Sequence, residues 1–396
     1  MRMLRLSVLV VVVVSMLLSG PVQAAEPAEK ANAAIKKALE YLKARQDKDG
    51  GWRLGDRDVP ALTALALRCF VQSPEYDLKT DFVARGYGKL VSDQLENGGI
   101  YKDLLASYNT AIAISALAAA KDPAYKERIE RAVNYLKSLQ WVGTIRAEDG
   151  ETQIEVNDPW FGGWGYGGRS RGRGRPDLSN AHLAMEALKD AGLKPDDPAF
   201  QNALKFVTRL QNNNETNDAA WAGTDGSFIY GPSDNGKGES FAGEYQGPDG
   251  RRRLRGYGSM TYAGLKSYIY AGLTREDPRV KAAWEWVRAN WTLDEHPGLS
   301  ANDPKMARAG IFYYYHTLAR ALNVYDEPVI VDLKGVRHDW RLELIEKLVS
   351  LQRDDGSWVG ENRWMEENPV LVTAYAVLAL QEALADLKEH PVGRND

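Results

Sequence analysis

Two short runs crowd guanidinium groups together. In "GGRSRGRGRPD", Arg169, Arg171, Arg173 and Arg175 take every second position, and "GPDGRRRLRGYG" adds Arg251, Arg252, Arg253 and Arg255. Planar, permanently charged forks at that spacing suit a phosphate or a carboxylate. Gly168, Gly172 and Gly174 would let backbone amides approach the same anion. The same glycines suit a solvated loop whose charges pair with Asp158, Asp177, Asp234 and Asp249, and both readings stand. Acid–base work has candidates in Asp158, Asp177 and Asp225. Asp177 opens "RPDLSNAHLAMEAL", where Asp177, Ser179 and Asn180 after Pro176 also read as a helix N-cap cluster. His316 stands alone in the apolar run "IFYYYHTLARAL", and His182, His296, His338 and His390 show no ligand spacing. No metal site and no cofactor are therefore expected.

Helices must position these groups. Charged amphipathic segments such as "AAIKKALEYLKARQ" and "RLELIEKLVSLQ" alternate six times with segments that are apolar nearly all round, such as "ALTALALRCF" and "VLVTAYAVLALQEAL". The first kind has one wet face and the second is buried on most sides. The apolar helices are expected to begin near Pro60, Ser107, Leu178, Ser259, Ala307 and Asn368. Two long loops, about residues 141–177 and 212–257, carry the arginine runs and suit short hairpins. Both runs precede an apolar helix, so a closed ring would bring them to one rim, beside positive helix N-termini.

The start of the chain reads as an export leader. Arg2 and Arg5 precede an apolar run from Leu6 to Leu18, and Val22-Gln23-Ala24 is a small-residue cleavage site. The expected organisation is a signal peptide over 1–24 and a single domain over 25–396. An uncleaved anchor is the alternative, and no stable membrane span is expected once the leader is removed. Cys69 is the only cysteine, which excludes an intramolecular disulfide. Losing Arg2 and Arg5 takes the formal charge from −4 to −6, which argues against nucleic acid as a partner.

A short phrase recurs at the two ends: "QDKDGGW" at Gln46–Trp52 and "QRDDGSW" at Gln352–Trp358. Degenerate copies follow Gln94 ("ENGGIY") and Gln140 ("FGGWGYGG"). These Q-x-x-D-G-x-W repeats on paired helices resemble those of squalene–hopene cyclases, over roughly residues 30–388. The layout also resembles protein prenyltransferase β subunits. Six charged helices paired with six apolar ones already suggest an all-α fold, a single (α/α)6 toroid of six helical hairpins with long Gly/Arg-rich loops in units three and four, and the resemblance implies the same ring. In the cyclases an acidic motif opens an inner helix. Asp177 matches its first position, while Ser179 stands where the proton donor would be. In the prenyltransferases an Asp, a Cys and a His bind zinc. His316 matches the histidine, but Tyr257 and Ser259 occupy the other two positions, so the resemblance supplies neither the acid motif nor the zinc site. It does place Arg251 and Arg253 near the residues that hold an isoprenoid diphosphate.

The expectation is an exported ligand-binding toroid, enzyme or not, taking a polyprenyl or terpenoid ligand with an anionic head. Arg169, Arg171, Arg173, Arg175, Arg251 and Arg253 would meet the head, and Tyr257, Tyr262 and Tyr315 would line the pocket. Asp177, Asp158 and His316 are the candidates for catalysis. A polysaccharide-active toroid acting on uronates and a non-catalytic protein-binding scaffold are the alternatives.

Overall fold

The computed structural model describes residues 22–147, 150–167, 174–232 and 238–392. Arg169, Arg171, Arg173 and Asp234 lie outside these residues, as do residues 1–21. About half of the chain is helical. In order, the helices are α1 (Val22–Lys43), α2 (Pro60–Val71), α3 (Asp81–Ser92), α4 (Ala106–Ala119), α5 (Lys126–Ser138), α6 (Leu178–Asp190), α7 (Pro198–Thr208), α8 (Gly258–Tyr270), α9 (Pro278–Ala289), α10 (Ile311–Tyr325), α11 (Trp340–Leu351) and α12 (Pro369–Glu389).

The even-numbered helices are the apolar ones, and they pack in sequence: α2 on α4, α4 on α6, α6 on α8, α8 on α10, α10 on α12, and α12 back on α2. The inner helices thus form a closed ring, and closure buries the edge that an open stack would expose. By length and composition α12 could cross a membrane, but 78% of that apolar window is buried in the ring. The charged helices lie outside. α3, α5 and α9 rest on the inner helix that precedes each of them, α7 touches both α6 and α8, and α1 and α11 both rest on α12. Five of the six inner helices start within one residue of expectation. The exception is α10, because residues after Ala307 stay in a turn that follows the short helical segment Pro304–Met306 and ends at Gly310.

The recurring phrase is a seam between outer helices. Gln46 donates its amide N–H to Gly50 O in its own turn and to Phe82 O in the first turn of α3. Gln94, Gln140, Gln211 and Gln352 repeat this onto α5, α7, α9 and α1. The glycine of each turn has a positive φ and touches the next outer helix. A Cβ on Gly50 would lie 2.5 Å from Arg85 O, and one on Gly226 would lie 1.9 Å from Ala282 O. Trp52, Trp164 and Trp358 are fully buried, and each indole N–H donates to a carbonyl near the end of the preceding outer helix. The fifth junction has no such glutamine, since Asn290 bonds back to Trp286 O of its own helix. There Arg288 donates to Val331 O, and the Trp291 indole donates to Glu343.

Short antiparallel hairpins decorate the loops: β1 (Arg53–Leu54) with β2 (Arg57–Asp58), β3 (Gly143–Ala147) with β4 (Gly150–Ile154), β5 (Glu244–Gln246) with β6 (Arg252–Leu254), and β7 (Val329–Val331) with β8 (Arg337–Asp339). Two of them, β3–β4 and β5–β6, sit in the long loops of units three and four.

Candidate functional site

The N-terminal ends of the inner helices surround one mouth of the ring. Asp177 caps α6 there. One carboxylate oxygen accepts from Asn180 N at 2.9 Å and the other from Asn180 Nδ2 at 2.8 Å. The N-cap reading of this cluster is therefore correct, yet it is not the whole account. Asp177 is only 3% exposed, and burial pushes its carboxyl up to about 7 in spite of those hydrogen bonds. It forms part of the wall of a cavity of about 300 Å³, with Tyr166, Arg175, Tyr230 and Glu239. The phenol oxygens of Tyr166 and Tyr230 are 3.1 Å apart. From Tyr230 a file of rings runs outward: Phe241 at 5.0 Å between centroids, then Trp364 a further 5.4 Å on. Trp364, Met365 and Val359 leave an apolar patch exposed at that rim.

Below the mouth lies a layer of phenols. Tyr108 and Tyr375 meet at 3.0 Å, and Tyr313 touches Ser179 at 3.2 Å and His182 at 2.6 Å. Glu366 reaches the first turn of α10, where it accepts from Tyr313 N at 2.7 Å. It is buried, and burial pushes its carboxyl up to about 8. Beneath these phenols the centre holds a cavity of only about 10 Å³, bounded by Tyr108, Tyr313, Tyr375, His316, Arg68 and Glu186. That is about the space of one water molecule.

The deep end of the ring is closed by buried ions. Glu186 on α6 pairs with Arg68 at 3.2 Å and with Lys266, while Arg320 pairs with Asp190 at 3.0 Å and with Glu382 at 3.2 Å. Burial works against each charge. Lys266, Arg320 and Arg68 nevertheless hold the Glu186 carboxyl well below its usual range. The three cations and three carboxylates balance, as buried ions must.

The expected site residues scatter. Asp177 and Arg175 share the mouth cavity. Asp158 accepts from Trp160 N within a turn and does not border that cavity. Asp225, considered above as an acid, is a turn residue: it accepts from the Ser227 amide and hydroxyl, as Asp355 does from Ser357. His316 faces inward, stacked on Tyr375 at 5.3 Å, and burial lowers its pKa to about 3. Among the described residues no three His, Cys, Asp or Glu side chains gather as metal ligands. Arg251 and Arg253 lie on and beside β6 and pair with Asp249. Tyr257 packs against Phe241 and His296, Tyr262 against Tyr314, and Tyr315 donates to Leu293 O. These three tyrosines are built into the packing, and none borders the cavity.

Tyr166, Tyr230, Glu239, Glu366 and the buried ions went unread in the sequence. The ions did leave a signal. Arg68, Lys266 and Arg320 are the lone charges of α2, α8 and α10, and they stand with Glu186 of α6 at one depth, the ninth or tenth residue of each helix.

Solved structures of similar shape come from unrelated chemistries. The type II terpene cyclase MstE from Scytonema, bound to geranylgeranyl dihydroxybenzoate, matches with a TM-score of 0.55 at 15% identity, over 91% of this chain and 99% of that one. An unsaturated glucuronyl hydrolase specific for heparin matches with 0.53 at 15% identity, over 91% and 98%. An α-amylase from Clostridium perfringens matches with 0.52 at 12% identity, over 88% and 97%. What they share is the α/α-toroid fold. No protein-family model matches the chain, and no curated protein does. At these identities the likeness carries the fold and not the activity.

Proposed function

We propose that this toroid is an exported protein that binds a terpenoid or polyprenyl-type ligand at its mouth, polar head against the Asp177 wall and apolar tail along Tyr230, Phe241 and Trp364. The supporting observation is the file of aromatic rings running from the acid to an exposed apolar rim. Most polar groups around Asp177 are already engaged with one another, which leaves few for a ligand rich in hydroxyls and favours a ligand with one polar end. The tail lies across the mouth, because about 10 Å³ at the centre cannot take a prenyl chain. MstE, of similar fold, carries a geranylgeranyl substrate. A carboxyl poised near neutrality beside aromatic rings would also suit proton donation, should the ligand be transformed. Export rests on the Arg2/Arg5 leader and its cleavage site at Ala24.

The test is titration of the purified chain with farnesol, followed by quenching of indole fluorescence, in wild type and Trp364→Ala. Saturable binding that weakens about tenfold or more in the variant is expected. Binding of an oligouronate in place of farnesol would replace this reading with the polysaccharide one. Binding of neither would leave the scaffold reading. Mass spectrometry of the secreted protein should find a mature N-terminus at residue 25.

A further inference from the structure

The phenol layer contains a chain of three hydrogen-bonding groups with one open end. Ser179 and His182 lie three residues apart on α6, so one helix face holds both against Tyr313 of α10. The oxygens of Ser179 and Tyr313 are 3.2 Å apart, and the Tyr313 oxygen is 2.6 Å from His182 Nε2. His182 is 1% exposed, and its other nitrogen, Nδ1, has no partner. Ser179 and Tyr313 are both half-buried; Ser179 does not border the mouth cavity itself but lies two residues beyond Asp177 of its wall, which makes the serine end of the chain the one nearer the mouth.

The orphaned nitrogen sets the direction of the chain. Burial, with Lys266 close by, holds the imidazole well below its usual range, so the ring is neutral and carries one N–H. A proton on Nδ1 would be a buried donor without an acceptor, the costlier kind of unmade bond. Glu186, one turn further along α6, offers no relief because Arg68 and Lys266 occupy it. A proton on Nε2 leaves only a lone pair unmatched. Nε2–H then donates to Tyr313, Tyr313 donates to Ser179, and the Ser179 O–H turns outward.

We infer that Ser179 presents a polarised hydrogen-bond donor to the ligand and that the ligand's head is an uncharged oxygen acceptor, that of an alcohol, ether or ketone. The identity of the ligand rests on the function proposed above; the direction of the chain does not. The wall supports a neutral head. Asp177 and Glu239 face the cavity, and Arg175 is the one cation among its described lining residues. Arg251 and Arg253, which would favour an anion, share the one carboxylate of Asp249 on their own hairpin and do not border the cavity.

Two measurements on the full chain decide this. Nitrogen-15 NMR, with His182 assigned by His182→Gln, should find the proton on Nε2; a proton on Nδ1 overturns the direction. Titrations should then compare farnesol, its methyl ether and the hydrocarbon farnesene. Alcohol and ether should bind wild type about tenfold more tightly than the hydrocarbon, and Ser179→Ala should abolish that gap. Equal binding of all three to wild type, or a gap that survives in the variant, refutes the role of Ser179 while leaving the ligand class standing. Failure of all three to bind removes the head assignment together with the ligand class.

Discussion

Gln352, at the end of the last outer helix, donates its side-chain N–H to Ala34 O in the first outer helix at 2.9 Å, across 318 residues of chain. The same amide bonds Gly356 O at 3.0 Å, so one side chain ties the final turn to the first helix. Its four counterparts join neighbours along the chain; this one joins the two ends.

Gln352→Ala leaves two carbonyls without that donor. A loss of about 1–3 kcal/mol is expected in chemical denaturation. Hydrogen exchange should speed up in α1 more than in α5, which Gln94 holds. Uniform exchange changes would show that the contact does not govern closure.

Gly226→Ala tests the seam's geometry. The new Cβ would meet Ala282 O at 1.9 Å at a residue whose φ is +80°, whereas Gly55, at φ +59°, has nothing within 4 Å. Gly55→Ala should cost about 1 kcal/mol of backbone strain, and Gly226→Ala should exceed about 2 kcal/mol or prevent folding. Equal losses would contradict the close approach.

Lys266→Met removes one partner of Glu186 in the ion layer and should destabilise by about 3–5 kcal/mol. Adding Glu186→Gln should recover part of that loss, because the uncompensated carboxylate disappears. A double variant worse than the sum of its singles would mean that Arg68 and Arg320 depend on Glu186 more than on the carboxylates of Asp190 and Glu382.

The two mouth carboxyls predict a pH dependence with a definite sign. Asp177 and Glu366 are both raised, from usual values of 3.8 and 4.5 to about 7 and about 8. The folded protein therefore holds each proton more tightly than the unfolded chain does. Their contribution is complete below about pH 4 and is lost as pH rises through 7 and 8. The stability of wild type relative to Asp177→Asn should fall by a few kcal/mol between pH 4 and 7, since Asn keeps the cap and stays neutral. Glu366→Gln should do the same between about pH 4.5 and 8. A pH-independent difference would place these carboxyls in water.

The sequence showed the ring better than the mouth. Periodicity located α2, α4, α6, α8 and α12 because local spacing and buried length suffice for an apolar helix. The fourth seam is legible only in Gln211, which closes its outer helix as Gln46 and Gln352 do; the turn it bonds, at Gly226, stands 15 residues on, across a loop that breaks the phrase. Tyr166 and Tyr230 come from Gly-rich loops without periodicity, and only tertiary packing brings their hydroxyls together. Tyr262 and Tyr315 mislead for the opposite reason. On helices buried all round, composition does not reveal which ring turns to the centre and which packs against a neighbour.

The place of α1 on α11 and α12 has a consequence for how the molecule assembles. During synthesis the first helix to emerge finds two of its native neighbours only when the last fifty or so residues have been made. Until then its apolar face, Ala31, Ile35, Ala38 and Leu42, and the open flank of α2 stay uncovered. Contacts of such long sequence separation form slowly and late, and an exposed flank of this kind invites pairing with another unfinished copy. Fusing the first helix behind the last, as a circular permutant opened at the exposed Asp56 turn, would turn the slowest contact in the ring into a local one.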